Sequence, residues 1–170
     1  MKKLVFIFTM LVALTLSQFA TAQKTIVDVA VGNKDFSTLV TALKAADLVG
    51  ALQADGPFTV FAPTNAAFAK IDSKTLNSLL EPKNKAALSN ILTYHVVSGK
   101  LTASDVVAAL KAGKGKVELK ALNGQTLTVV QKESKIWLKD QNDNYSEITA
   151  TDVMGSNGVI HVIDTVVMPN

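Results

Sequence analysis

Few residues in this 170-residue chain could do chemistry, and their spacing argues mostly against it. There are two histidines, His95 and His161, and no cysteine. Two imidazoles cannot make a three-histidine metal site, and no H-E-x-x-H occurs. Without thiols there are no disulfides, thiolate zinc sites, Cys-ligated iron–sulfur clusters or Cys nucleophile. The glycines form neither G-x-G-x-x-G nor a Walker loop, and no G-x-S-x-G elbow is present. Ser98 or Ser156 with His161 and Asp164 supplies the ingredients of a Ser–His–Asp set. Asp164, however, follows His161 by three residues in a strand-like segment, which sends the two side chains to opposite faces. The bland reading of His161 is a hydrogen-bonded histidine in or beside a strand core. No catalytic residue, no metal ligand and no cofactor are expected.

Other polar groupings are weaker still. Paired carboxylates of the glycosidase kind need only lie about 5–9.5 Å apart in space, which spacing alone cannot test. Asp140 and Asp143 sit in the polar stretch DQNDN, where Asx bonds holding a turn are the simpler role. Asp140, Asn142 and Asn144 alternate like the first calcium ligands of an EF-hand loop, yet Tyr145 and Thr151 stand where Gly and Glu are required. Asn144-Tyr145-Ser146 has the form of a glycosylation acceptor and reads as a chance match in a loop. Trp137, the sole tryptophan, alternates with Ile136 and Leu138; it is either packed under a helical layer or displayed outward, and packing is the preferred expectation.

Tyr94 and His95 are the exception. The pair stands where a helical segment ends. His95 can satisfy the last helix carbonyls, act with Tyr94 as a recognition anchor, or serve catalysis or metal binding. At least one ring is expected to be partly exposed, with His95 the surface residue and Tyr94 seated on Ile91 and Leu92.

The elements that must position these residues fall into two halves. From Thr25 to about Lys111 the pattern is mainly helical. In DFSTLVTALKAADLVGALQ, Phe36, Leu39, Val40 and Leu43 keep the spacing of one buried stripe, and Gly56-Pro57 ends the segment. Pro57 and Pro63 bracket a short strand around Thr59-Val60-Phe61. Thr64 and Ser73 are placed to cap two short helices. KNKAALSNILTYH carries Ala87, Leu88, Ile91 and Leu92 on one face. Thr102-Ala-Ser-Asp105 is a relative of the capping box, with Gly113 as a C-terminal stop. Beyond Lys114 the period shortens to two. Val117, Leu119 and Ala121 alternate, Asn123-Gly124 signals a tight hairpin, and QTLTVVQ, KIWLK, YSEI, TDV and VIHVIDTVVM follow as strands. Helices first and strands after them predict an α+β domain without βαβ repetition.

The N-terminus predicts export. Lys2 and Lys3 precede the apolar run Leu4–Leu16, and Ala20-x-Ala22 forms a cleavage pattern before Gln23. The run is too short to span a bilayer, which takes about 17–25 residues, so residues 1–22 read as a signal peptide and 23–170 as one domain. The mature chain is expected to be secreted or periplasmic, without stable membrane insertion. Removing Lys2 and Lys3 lowers the formal charge from +3 to +1, and there is no arginine anywhere. Readers of phosphate and base edges depend on the guanidinium fork, so nucleic acid is an unsuitable partner.

TVFAPTNAAF (Thr59–Phe68), ILTYHVV (Ile91–Val97) and SNGVIHVIDTVVMP (Ser156–Pro169) resemble, in order and spacing, the three signatures of the fasciclin-like (FAS1) domain. The resemblance covers about Thr25–Met168, and small secreted single-domain bacterial members are the nearest in layout. It implies a twisted wedge of two β-sheets with several helices packed beside it, with Phe61 and Phe68 in the core. It also implies no enzymatic activity. Family members are associated with cell adhesion and extracellular matrix contacts, through protein or carbohydrate partners at the cell surface. In animal members a tyrosine–histidine pair among branched apolar residues is linked to integrin binding; Tyr94 and His95 match that pair. One unanchored domain departs from the multivalency by which adhesion proteins bridge surfaces. A periplasmic protein binding a small or apolar ligand between helices and sheet is the competing expectation.

Overall fold

A computed structural model describes residues 24–170. The expected signal segment and the cleavage point before Gln23 lie outside the described residues.

The helical half is built from short, locally capped pieces. Helix α1 (Ile26–Val31) opens on a capping box in which Thr25 Oγ1 accepts from the Asp28 N–H and Asp28 returns the bond to Thr25. The expected stripe Phe36, Leu39, Val40 and Leu43 is buried, the last three on α2 (Ser37–Ala45). That helix stops earlier than its apolar pattern. Asp47 takes a left-handed φ of 60°, and the Leu48 N–H turns back to the Leu43 carbonyl before α3 (Val49–Gln53) starts. Thr64 caps α4 (Asn65–Ala69) as expected, but α5 (Ser73–Leu80) is capped by Asp72, whose carboxylate accepts from the Lys74 and Thr75 N–H groups. Ser73 is already inside that helix. Helix α6 (Lys85–Tyr94) buries Leu88 and Leu92 and leaves Ala87 exposed, a narrower face than the sequence predicts. Thr102 and Asp105 complete a second capping box on α7 (Ala103–Ala112).

Seven strands form one sheet: β1 (Phe58–Pro63), β2 (Val96–Ser98), β3 (Lys116–Lys120), β4 (Thr126–Lys132), β5 (Lys135–Lys139), β6 (Tyr145–Gly155) and β7 (Gly158–Ile163), in the order β2-β1-β7-β6-β5-β4-β3. Only β1 and β7 run parallel, from Phe58 opposite Gly158 to Pro63 opposite Ile163; every other neighbour is antiparallel. YSEI and TDV, separate in the sequence pattern, are one eleven-residue strand, β6, broken in register between Ile148 and Val153, with Asp152 at a φ of 58°. This strand belongs to both expected sheets: it pairs with β5 at one end and β7 at the other, so the two walls of the wedge are continuous. Their far edges also approach. The Leu122 N–H donates to the Val96 carbonyl at 2.8 Å, and Val97 bridges Ala121, which nearly closes the sheet.

The hairpin at Asn123-Gly124 is not the two-residue turn its dipeptide signals. Only Gly124 has positive φ, and Asn123 instead accepts from the Gln125 N–H and donates to Asn90. Contact with β2 widens this loop. The turn with two left-handed residues is Glu133-Ser134, at φ 49° and 66°, between the paired Lys132 and Lys135.

Two cores result. One lies between α1–α6 and one face of β1 and β7, and includes Ile26, Phe36, Leu43, Phe68, Leu92 and Ile160. The other fills the wedge under α7, with Phe61, Tyr94, Leu110, Leu127, Leu138 and Ile163. Strands β1 and β7 are buried on both faces, which explains their nearly continuous apolar sequences.

Candidate functional site

Tyr94 and His95 close α6 and lead directly into β2, and this continuity decides their environment. His95 is the C-cap residue, and its own carbonyl accepts from the Phe61 N–H of β1 at 2.9 Å. Its ring turns back along the helix: Nδ1–H donates to the Ile91 carbonyl at 2.8 Å, one turn earlier. On the other side, Nε2 accepts from the Val167 N–H at 3.3 Å. Both nitrogens are thus used by the neutral imidazole. Burial drives its pKa down to about 4, against a smaller upward pull from the Ile91 carbonyl. Tyr94 points into the wedge core, where its hydroxyl donates to the Thr126 carbonyl at 2.9 Å. Burial, reinforced by the Asp140 carboxylate, pushes this phenol up to about 12.

The pair therefore differs from its expected exposure. Tyr94 is 0% and His95 2% exposed. With β1 hydrogen-bonded to its backbone and Val167 bonded to its ring, His95 is closed off at the end of α6. Of the readings open to His95, satisfaction of helix carbonyls is the one its geometry realises.

His161 lies in the centre of the sheet, 1% exposed and stacked on Phe61 at 5.7 Å between ring centroids. Its Nε2–H donates to the Leu101 carbonyl at 2.7 Å, and Nδ1 accepts from the Asp152 N–H at 3.4 Å. Asp164 takes other partners: the Glu147 N–H, the Ser146 and Thr165 hydroxyls, and Lys70. Ser98 is an exposed residue of β2, while Ser156 belongs to the β6–β7 turn. The Ser–His–Asp ingredients do not assemble.

Asp140 holds its turn as expected. Its oxygens accept from the Asn142 and Asn144 N–H groups and the Asn144 amide, and it also fixes the C-terminal segment through the Met168 N–H. Asp143 instead pairs with Lys139 at 2.6 Å. No cluster of potential metal ligands exists among the described residues. Ser146 is fully buried and bonded to Thr165, which removes the hydroxyl that the Asn144 acceptor pattern would present.

Two groups of residues were not singled out by sequence reasoning. Asn157 Oδ1 accepts from the Ile26 N–H, and its amide donates to the Leu52 and Ala54 carbonyls, fastening α1 and α3 to the β6–β7 turn. Thr59 donates to the Gly99 carbonyl at 2.6 Å and accepts from the Leu101 N–H at 2.9 Å, a similar clasp. The second group is an outward aromatic face. Trp137 is half-buried on the outside of β5 and not packed beneath helices, a correction of the preferred expectation. The pleat sends Leu138 and Ile136 inward to the wedge core, so the residue between them must face out. Tyr145 and Lys132 border the same shallow cleft. The alternation across KIWLK was the available signal.

A cleft of about 460 Å³ is open, lies by the β6–β7 turn and has Asp55, Lys100, Ser156 and Asn157 in its wall. The hollow between helices and sheet, lined by Ile26, Leu43 and Ile160, holds only about 20 Å³.

A nearly closed mixed sheet, flanked by helices and held together by its own most distinctive side chains, defines a scaffold domain with inward-facing motifs. Residues 34–169 match the model of the fasciclin domain, and the chain belongs to the fasciclin domain family. It is similar to Protein sll1483 of Synechocystis sp., at 52% identity over 154 residues, covering 90% of this chain and 78% of that one. The transforming growth factor-beta-induced protein ig-h3 of Sus scrofa is 39% identical over 145 residues, which span 85% of this chain and 19% of the relative. In fold the chain resembles a FAS1 domain pair from the insect cell adhesion molecule fasciclin I, with a TM-score of 0.73 at 20% identity, over 84% of this chain and 50% of that one.

Proposed function

We propose that this protein is an exported, non-enzymatic binding module that makes adhesive or matrix-type contacts with a protein or glycan of the cell surface. What supports this most directly is the state of the two histidines. Each is buried, and each has both ring nitrogens occupied inside the fold, so neither is available as a general base at a cleft. The kinship points the same way, since the fold neighbour comes from a cell adhesion molecule. Export rests on the basic, apolar and Ala20-x-Ala22 pattern of residues 1–22. No helix among the described residues is long and apolar enough to cross a membrane. Within this function Tyr94 and His95 are positioning residues, joining α6, β2 and the C-terminal segment behind the binding surface. The alternative of a small or apolar ligand held between helices and sheet has weaker support: the apolar hollow at Ile26, Leu43 and Ile160 holds about 20 Å³, and the cleft of about 460 Å³ by the β6–β7 turn is open and edged by Asp55, Lys100 and Asn157.

The test is export followed by binding. Mass spectrometry of the secreted or periplasmic chain should find Gln23 at its N-terminus. The purified chain should then sediment saturably with cell envelopes, and protease or periodate treatment of the envelopes should identify the partner class. Retention of Met1–Leu16 in membranes, or no saturable binding, refutes the proposal.

A further inference from the structure

We propose that the outer face of β4–β6, centred on Trp137 and Tyr145, binds a carboxylated polysaccharide, a chain of uronate-type pyranose rings. This rests on the binding-module function above and assigns it a site and a partner chemistry.

Strand register builds the face. Val130, Trp137 and Glu147 stand side by side across β4, β5 and β6, and Thr128, Lys139 and Tyr145 form the next row. Lys132, at the end of β4, reaches diagonally over this surface until its Nζ lies 3.6 Å from the centroid of the Tyr145 ring. Tyr145 is 38% exposed, and the cleft that it forms with Trp137 and Lys132 has a volume of about 230 Å³. A cleft this small and open cannot enclose a drug-sized ligand, for which sites usually offer about 300–1,000 Å³. It can receive one ring of an extended chain lying across it. The aromatic faces carry negative potential, and the C–H face of a pyranose is the complementary neutral surface.

Charge selects the acidic sugar. Lys116, Lys135 and Lys139 are paired with Glu118, Glu147 and Asp143, respectively. Among the described residues, Lys132 has no carboxylate within ion-pair distance and rests on an aromatic ring instead. An exposed cation–π contact is weak and is readily exchanged for a carboxylate delivered by a ligand. The Lys135–Glu147 pair and Thr128 supply donors and acceptors for ring hydroxyls on the same face. Other macromolecules fit less well. The cores of protein interfaces are depleted in the Lys and Glu residues that surround this aromatic pair. The chain has no arginine to make the forked contacts that phosphates favour.

Trp137 is the only tryptophan, so its emission reports directly on the site. Polygalacturonate titrated into the wild-type chain should produce a saturable emission change that weakens in 0.5 M NaCl. By calorimetry, Trp137→Ala should lower affinity by about tenfold or more, Trp137→Phe should retain most of it, and Lys132→Gln should lose about three- to tenfold and flatten the salt dependence. Urea melts verify that the variants fold, as expected for outward positions. Equal affinity for neutral dextran, tighter binding of dextran sulfate or a thymidine oligonucleotide, or no response to polygalacturonate would each overturn the proposal. Envelope binding that survives Trp137→Ala intact also overturns this site while leaving the binding-module function standing; loss of wild-type envelope binding refutes that function separately.

Discussion

Acidification from pH 7 to 5 should weaken the fold by about 2 kcal/mol through His95 alone, and by about 3 kcal/mol at pH 4. The folded chain holds this imidazole neutral, with its pKa lowered from 6.5 to about 4 by burial. The unfolded chain releases it to water at the ordinary value. Between those two values the unfolded state therefore binds more protons, and stability rises with pH. The His95 contribution is present above about pH 6.5, is lost as pH falls through the folded value of about 4, and levels off about a unit below that. The structure also shows what protonation breaks. A proton on Nε2 removes the acceptor of the Val167 N–H, leaving a donor facing a donor in a buried site. Carboxylates contribute in a separate window. Asp28, Asp105, Glu118, Asp143 and Asp164 all have lowered values, so their contributions are present above their ordinary range and lost as pH falls through and below it. The interval from pH 6.5 to 5 lies above the carboxylate window, and within it the comparison with a His95 variant isolates His95. Urea melts of the wild type and His95→Gln at pH 7, 6 and 5 measure the effect. The wild-type free energy should fall by roughly 1.4 kcal/mol per unit in the lower part of this range, while the variant, already weaker at pH 7, loses that slope. Parallel stability curves for the two chains, or an NMR titration placing His95 near 6.5, would refute the reasoning.

Four further substitutions probe the frame around this residue. Phe61→Ala and Phe68→Ala should each cost about 3–5 kcal/mol in urea unfolding, because each empties one of the two cores, at 0% and 5% exposure. Asn157→Ala should cost about 2–3 kcal/mol and should raise hydrogen exchange at Ile26, since one side chain holds that N–H and the Leu52 and Ala54 carbonyls. Tyr94→Phe removes a hydroxyl that donates to the Thr126 carbonyl and should cost about 1–2 kcal/mol by the same melts, with binding to envelopes unchanged on folded protein.

The α+β class, the helical half and the strand-rich half were legible because period and punctuation are local. Thr64 and the Thr102–Asp105 box cap the helices that their spacing predicts, and the Phe36–Leu43 stripe is buried. The departures come where a distant segment overrides a local preference. Asn123-Gly124 would make a tight turn in isolation, but the neighbouring loop residues bond to β2 and Asn123 is drawn toward Asn90. Asp47 ends α2 in a left-handed conformation that its sequence does not advertise. Trp137 is a case of a signal present but outweighed: the pleat required it to face away from Leu138, while its size argued for a core.

Tyr94 and His95 show why a site is harder to read than a fold. An aromatic beside an imidazole at a helix end offers the right chemistry for recognition, and its cover comes from remote segments: the wedge core around Tyr94, and Val167, some seventy residues later, on the His95 ring. No local pattern encodes that cover. The same holds for the whole set of motifs by which the family is recognisable: Thr59 clasps the loop after β2, Asn157 fastens α1 and α3, and His95 ties α6 to the C-terminus. Side chains engaged in this way are committed to the fold, because every hydrogen bond given outward would leave an unpaired group inside. The proposed partner chemistry lies instead at outward positions of strands that carry none of these three clasps. On β4–β6 those positions carry Lys132, Trp137 and Tyr145, so substitutions there should change what is bound without changing how the chain folds.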